Sequence, residues 1–249
     1  MEFTYDPALV ALSIAIAILG SFTGLVMTAG IQRIRGPEAV LRIILGSIGV
    51  GGGVWSMHFV AMLAVILPIE LRYETFQTVL SAVLAMIFTS VAFSIVGRKR
   101  FGEYTLPVSA VFLGLGIGAM HYLGMYAVRG NCYLTYSWLG VVISVVIAIQ
   151  ASAVALWFAF RERGLFDTIL GAIALGLAIA SMHYTAMEAT RFIPAQNFGA
   201  FVGNAFSERY LALSISIAMY GICGMCIMVF SVLTFVKRPS IPADRRPAR

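Results

Sequence analysis

Apolar residues gather in seven long runs, at about 8–29, 41–67, 76–97, 106–128, 138–160, 165–188 and 210–236. Each run reaches the roughly 20 residues that a helix needs to cross a ~30 Å hydrocarbon core. A segment in lipid must satisfy its own backbone polar groups, which a helix does. Polar residues collect in the connections between the runs. The pattern predicts an all-α fold, a polytopic membrane bundle of seven transmembrane helices. The composition agrees, with 60% hydrophobic residues and a mean hydropathy of +0.93. A soluble domain of 249 residues has no way to hide that much apolar surface. The first run has no basic residue before it, so it reads as a helix with its N-terminus outside rather than as a cleaved signal peptide.

The runs pair into three repeated helix hairpins, 1–2, 3–4 and 5–6, with the seventh helix outside the repeat. The second run of each hairpin ends in one phrase. Met57-His58-Phe59-Val60-Ala61-Met62 recurs as Met120-His121-Tyr122-Leu123-Gly124-Met125 and as Met182-His183-Tyr184-Thr185-Ala186-Met187. These are the only three histidines in the chain, 63 and 62 residues apart. Small residues precede every phrase: Gly51 and Gly53, Gly114 and Gly116, Gly176 and Ala178. In membranes such positions let helices approach closely, which would bring the three motif helices around one centre. Residues 1–236 read as one seven-helix membrane domain. Residues 237–249 read as a short cytoplasmic tail, Pro-rich, charged and disordered. The longest connection, from Thr190 to Arg209, carries Phe192, Phe198, Phe201 and Phe206 and reads either as a lid over the helix ends or as a membrane-surface anchor.

Charge sets the expected orientation. Arg33, Arg35, Arg42, Arg98, Lys99, Arg100, Arg161, Arg163 and the tail residues Lys237, Arg238, Arg245, Arg246 and Arg249 fall on one side, and Arg72, Arg129, Arg191 and Arg209 on the other. The positive-inside rule puts the N-terminus outside and the C-terminus in the cytoplasm. The net charge of +6 is therefore a topology signal and not a nucleic-acid surface. Binding of the tail to anionic lipid is expected but unspecific. Cys132 lies in an outer loop, and Cys223 and Cys226 read as buried core cysteines of the last helix.

The motif carries the chemistry. At about 1.5 Å per residue, each histidine lies roughly 24–27 Å from the cytoplasmic edge, so all three share one depth in the outer third of the bilayer. Ionisable side chains inside a membrane are costly and by default functional. Positions i and i+4 share a helix face, so His58, His121 and His183 can point into one cavity with Met62, Met125 and Met187. Met57, Met120 and Met182 sit about 100° round the helix and form a secondary set that packs against neighbours. Imidazole with thioether is a soft donor set that suits copper, as one ion or two. Zinc, the alternative, prefers carboxylate or cysteine beside histidine. Glu188 is the one acid near this face, and Tyr122 and Tyr184 can line the site.

The triple motif resembles the MHYT domain of bacterial integral-membrane proteins. Met182-His183-Tyr184-Thr185 spells that motif whole, and the phrases at Met57 and Met120 look like its two other copies, changed at the fourth position and, in the first, with Phe59 for tyrosine. The resemblance covers about residues 8–236. It implies a sensor in the bacterial cytoplasmic membrane that binds a diatomic gas (oxygen, carbon monoxide, nitric oxide) or reports redox state, through copper held by the motif His and Met. Many such proteins continue into cyclic-di-GMP-metabolising or other signalling domains. Output here is expected through a cytoplasmic partner, a C-terminal output domain of a longer protein, or a homodimer.

Other readings fare less well. A retinal protein needs a lysine inside the bundle, and Lys99 and Lys237 lie at its edges. A zinc-dependent intramembrane hydrolase of the ceramidase and adiponectin-receptor type also uses three histidines, but needs acidic groups to activate water. No Asp lies in the outer half of any predicted helix. A haem- or quinone-linked redox protein would leave one histidine without a role. A copper transporter would need ligands continuing to the cytoplasmic side. The chain is expected to be a sensor and not an enzyme.

Overall fold

The computed structural model describes residues 2–69, 71–97, 104–160, 164–194, 205–207, 214–215, 217–226 and 228. Six long helices follow the first six apolar runs: α1 Pro7–Thr28, α2 Pro37–Leu63, α3 Thr75–Val96, α4 Thr105–Tyr126, α5 Trp138–Phe160 and α6 Leu165–Glu188. All six are long and apolar enough to cross a membrane. The seventh run appears as the apolar helix α7, Ile217–Cys226, and most of its expected 210–236 span lies outside the described residues. So do the tail, Phe198, Phe201, and the basic residues Arg98, Lys99, Arg100, Arg161, Arg163 and Arg209.

The helices form a closed ring. Each packs against the next, and α6 closes on α1. The motif helices α2, α4 and α6 also meet one another, so they line the centre. Faces turned away from the ring carry large apolar side chains such as Val79, Val83, Ile87, Val142 and Val146. These suit lipid, where exposed apolar surface costs nothing.

Glycine sets how tightly the ring closes, through the small residues that precede each motif. Those glycines pack motif helices against the helices flanking them and not against each other. A Cβ on Gly51, Gly114 or Gly176 would fall 2.8, 2.5 and 2.8 Å from the Cα of Met86, Ile149 and Ile18 respectively. Those partners lie on α3, α5 and α1, each in a neighbouring hairpin. Gly53 and Gly116 instead meet Gly20 and Phe88 within their own hairpins. Positions two apart on a helix lie about 200° round its axis, so the paired small residues serve opposite neighbours.

The connections at the motif end form strands that the hydropathy pattern does not announce. Short antiparallel pairs join β1 (Thr4–Tyr5) to β2 (Val65–Ile66), β3 (Arg72–Glu74) to β4 (Val128–Arg129), and β5 (Cys132–Tyr136) to β6 (Thr190–Pro194). β7 (Ala205–Ser207) adds to β3, aligning Phe206 with Tyr73. Each pair links the residues just before an odd-numbered helix to those just after the following motif helix, so the repeat extends into the cap. Phe192, from the connection read as a lid or anchor, is fully buried in the cap cluster with Tyr73, Leu71 and Phe59. An ion pair, Arg129 to Glu74 at 2.7 Å, ties β4 to β3.

One position breaks the repeat. Gly52 corresponds to Leu115 and Leu177, which are 41% and 47% exposed on the lipid-facing side. Gly52 is buried, and a Cβ there would lie 3.3 Å from the Met219 sulfur of α7. The first repeat carries glycine where the others carry a lipid-facing leucine, and α7 is seated there.

Two substitutions separate these contacts. Gly20→Ala should lower thermal stability in detergent by about 1–3 kcal/mol, because the new methyl meets the Gly53 backbone at 2.6 Å. Gly224→Ala, with nothing within 4 Å, should leave the midpoint unchanged or raised. Equal losses in both variants would contradict the packing described.

Candidate metal centre

Each motif histidine stands one helical turn below the motif end of its helix. His58, His121 and His183 are 0%, 0% and 1% exposed. Their rings form a propeller, with centroids 5.0–5.1 Å apart and planes crossing at 75–84°. His183 is the hub, its Nδ1 3.2 Å from the Nδ1 of both His58 and His121. The three side chains are the one cluster of His, Cys, Asp and Glu able to share a metal among the described residues, with ligand atoms within 4.8 Å of one another.

Such a cluster is expensive unless something completes it. The Nε2 of all three rings is buried and has no hydrogen-bond partner among the described residues. A buried polar atom left unsatisfied costs about 1–3 kcal/mol. Between two Nδ1 atoms only one can carry the shared proton, so one histidine's gain constrains the others. A metal resolves the crowding by taking a lone pair from each ring. Nitrogens tetrahedrally placed at about 2.0–2.1 Å from a metal lie roughly 3.3 Å apart, close to the 3.2 Å seen between the Nδ1 atoms. The donor set and its spacing therefore fit a metal ion.

The methionines divide as helix geometry requires. Met57, Met120 and Met182 lie in the core of the bundle. Met62, Met125 and Met187 lie one turn further out, in the cap cluster with Phe59, Tyr73 and Phe192. All six are buried. Glu188 lies on the exposed side of α6. Its carboxylate acts instead on Tyr5, whose phenol is pushed well above its ordinary range, first by burial and then by that charge.

The motif aromatics reach away from the triad. The Tyr184 hydroxyl lies 3.0 Å from Ser13 Oγ of α1, and the Tyr122 hydroxyl 2.8 Å from Ser144 Oγ of α5. The third arm is built differently. Phe59 has no hydroxyl, Ser81, equivalent to Ser13 and Ser144, donates to the Thr78 carbonyl at 2.7 Å, and the Trp55 indole N–H of α2 donates to that same carbonyl at 2.9 Å. Above each arm sits a strand tyrosine, packed edge-to-face: Tyr5 on Tyr184, Tyr73 on Phe59, and Tyr136 on Tyr122.

Reading the motif alone misses Ser13, Ser144, Tyr5, Tyr73 and Tyr136. The signal is in the sequence. Tyr5 and Ser13, Tyr73 and Ser81, and Tyr136 and Ser144 are each eight residues apart, and they repeat at 68 and 63 residues. Asp6, Glu74 and Ser137 follow the three tyrosines, and Asp6 caps α1 through the backbone N–H groups of Ala8 and Leu9.

The sequence is similar to known bacterial signalling proteins. The family model MHYT, described as a bacterial signalling protein N-terminal repeat, matches residues 1–41, 51–106 and 114–172. The chain is 37% identical over 233 residues to the bifunctional diguanylate cyclase/cyclic di-GMP phosphodiesterase MucR of Pseudomonas aeruginosa, covering 91% of this chain and 34% of that protein. The cyclic di-GMP phosphodiesterase NbdA of the same organism is 37% identical over 194 residues, 75% of this chain and 24% of that protein. The signaling protein YkoW of Bacillus subtilis is 34% identical over 200 residues, 77% of this chain and 25% of its own length. The chain thus spans about a third or less of these relatives. No solved structure matches it.

The two hydroxyl arms should be measurable. Tyr184→Phe and Tyr122→Phe should each cost about 0.5–1.5 kcal/mol of stability in detergent, since each removes one buried hydrogen bond. The double variant should lose close to the sum, because the arms lie on different helices. Single variants that melt with the parent would remove the arms as structural ties.

Proposed function

The chain belongs to the MHYT family of bacterial signalling repeats, and from that premise we propose that this multi-pass membrane protein holds copper at the triad and senses a diatomic gas or redox state. The observation that carries the reading is the buried group of three imidazoles whose Nδ1 atoms converge in two pairs at 3.2 Å, a spacing that fits a shared metal. The positive-inside pattern supports a site near the outer face, with the cytoplasm at the opposite end.

His58, His121 and His183 would hold the ion, with Met62, Met125 and Met187 as thioether donors from the adjoining cluster. When bound, copper would supply a soft centre for a diatomic ligand, and its oxidation state would set how tightly the site holds it. The protein's own part is to exclude bulk water, fix the rings, and convert a change in ring spacing into helix movement. Tyr184–Ser13 pins α6 to α1, and Tyr122–Ser144 pins α4 to α5. α2 carries Phe59 in place of the tyrosine and is tied to α3 differently, through Trp55, whose indole N–H donates to the Thr78 carbonyl at 2.9 Å. It is also the helix whose Gly52 touches Met219 of α7. A shift of α2 therefore reaches α7, and from there a cytoplasmic partner or an output domain of the kind named in MucR. Such coupling requires two arrangements of differing ligand affinity.

Elemental analysis and spectroscopy test the reading. Protein purified from copper-replete cells should retain copper. His121→Ala should remove most of it, and Met57→Leu much less, since Met57 lies in the bundle core away from the cap. Nitric oxide or carbon monoxide added to the reduced, copper-loaded protein should change the metal spectrum and the labelling of residues 217–226. Predominant zinc or iron would overturn the copper assignment. A metal spectrum that ignores every diatomic gas, in a protein that turns over a lipid or quinol, would favour the hydrolase or redox-enzyme reading.

A further inference from the structure

The charge of the cation is written into what surrounds the triad, provided the triad is a metal centre as proposed above. Among the described residues the metal-capable cluster holds no carboxylate and no thiolate, only His58, His121 and His183. A histidine binds a metal as the neutral ring, so the cage contributes no negative charge. Glu188, the nearest acid in the sequence, is on the exposed side of α6. The methionines of the adjoining cluster, Met62, Met125 and Met187, are neutral donors too.

A second, independent observation concerns the far side of each ring. Histidines that bind metals almost always donate their other N–H to a carboxylate, a carbonyl or a water, which makes the ring a stronger donor. Here all three Nε2 atoms are buried without a partner among the described residues. The His58 Nε2 lies instead against Gly124, where a Cβ would fall 2.5 Å away. The rings are at most 1% exposed, so bulk water does not screen the site.

We propose that this partnerless triad is a charge filter that selects a soft monovalent cation, Cu(I), over Cu(II) and Zn(II). The cost of moving an ion out of water grows with the square of its charge, so a divalent ion pays about four times the monovalent penalty. It would recover none of it from an anionic ligand or from an acceptor behind the rings. Cu(I) is the soft member of the pair and is well served by imidazole and thioether. The specificity of His58, His121 and His183 lies in the acceptors their Nε2 atoms lack.

The test is equilibrium competition on the full chain in detergent micelles, with Ag(I) as a redox-inert monovalent probe. Cu(I) under anaerobic conditions, Cu(II) and Zn(II) are run in parallel, each against a chelator of known affinity, with bound metal read by elemental analysis. Ag(I) and Cu(I) should be held about a hundredfold or more tighter than Zn(II), a gap of the size that outer-shell partners control. His121→Gln and His121→Ala should both lose Ag(I), with helix content checked by circular dichroism, the glutamine variant preserving bulk if the alanine variant unfolds. Zn(II) or Cu(II) held as tightly as Cu(I), and lost in folded His121 variants, would overturn the charge filter and leave the metal centre standing. A chain that binds none of these ions, or binds them equally well without His121, would overturn both.

Discussion

Three imidazoles meet within hydrogen-bond distance inside a ring of apolar helices, and the rest of the molecule is arranged so that they can. Their Nδ1 atoms approach to 3.2 Å only if the motif helices sit close to the central axis. That requires the helices between them to leave room. Gly51, Gly114 and Gly176 remove the side chains that would hold α3, α5 and α1 away. Close backbone approach trades the larger side-chain contacts for tighter packing, as small-residue interfaces in membranes do. The cost is carried at the centre, where the buried Nε2 atoms have no partner among the described residues.

The threefold repeat makes that centre economical to encode, and its departures show where function enters. Two arms, Tyr184–Ser13 and Tyr122–Ser144, are tyrosine–serine ties, and at Phe59 the tie passes instead from Trp55 to the Thr78 carbonyl. Two lipid-facing leucines, Leu115 and Leu177, are complete, and the third position is Gly52 beneath Met219. Both departures fall on α2. A symmetric site would pull equally on three hairpins and pass no direction to the chain. In the proposed sensor, asymmetry on one motif helix would direct a change at the triad toward α7, which meets Gly52 through Met219.

The cap explains how a site so close to one end of the bundle stays dry. Its strands close the connections over the methionine layer, and their tyrosines stack on the motif aromatics. Each strand pair spans its hairpin from base to base, which holds α1 to α2, α3 to α4 and α5 to α6 at the end where the histidines sit. The Arg129–Glu74 ion pair adds a tie at the edge of the middle pair.

The sequence by itself determined the six long helices, the hairpin repeat and the histidines that converge. These follow from local quantities: a run of apolar residues long enough for lipid, and a motif repeated at one depth. The same helical periodicity separated Met62, Met125 and Met187 from Met57, Met120 and Met182. Only the tertiary structure decided which neighbour each face meets. Gly51 and Gly53 look alike along the chain, yet they face α3 and α1, because positions two apart lie on opposite sides of a helix and ring closure fixes what stands there. Strand pairing was hidden for the same reason, since Tyr5 pairs with Val65, some 60 residues away, and two- or three-residue strands carry too few side chains to show an alternating pattern. The spacing of Tyr5, Tyr73 and Tyr136 and of Ser13, Ser81 and Ser144 was present in the chain, but their meaning depends on partners that ring closure brings from other helices. Glu188 looked like a neighbour of the site because it follows Met187. Helix rotation of about 100° per residue carries it to the other side, and no sequence distance reports that until the faces of α6 are assigned.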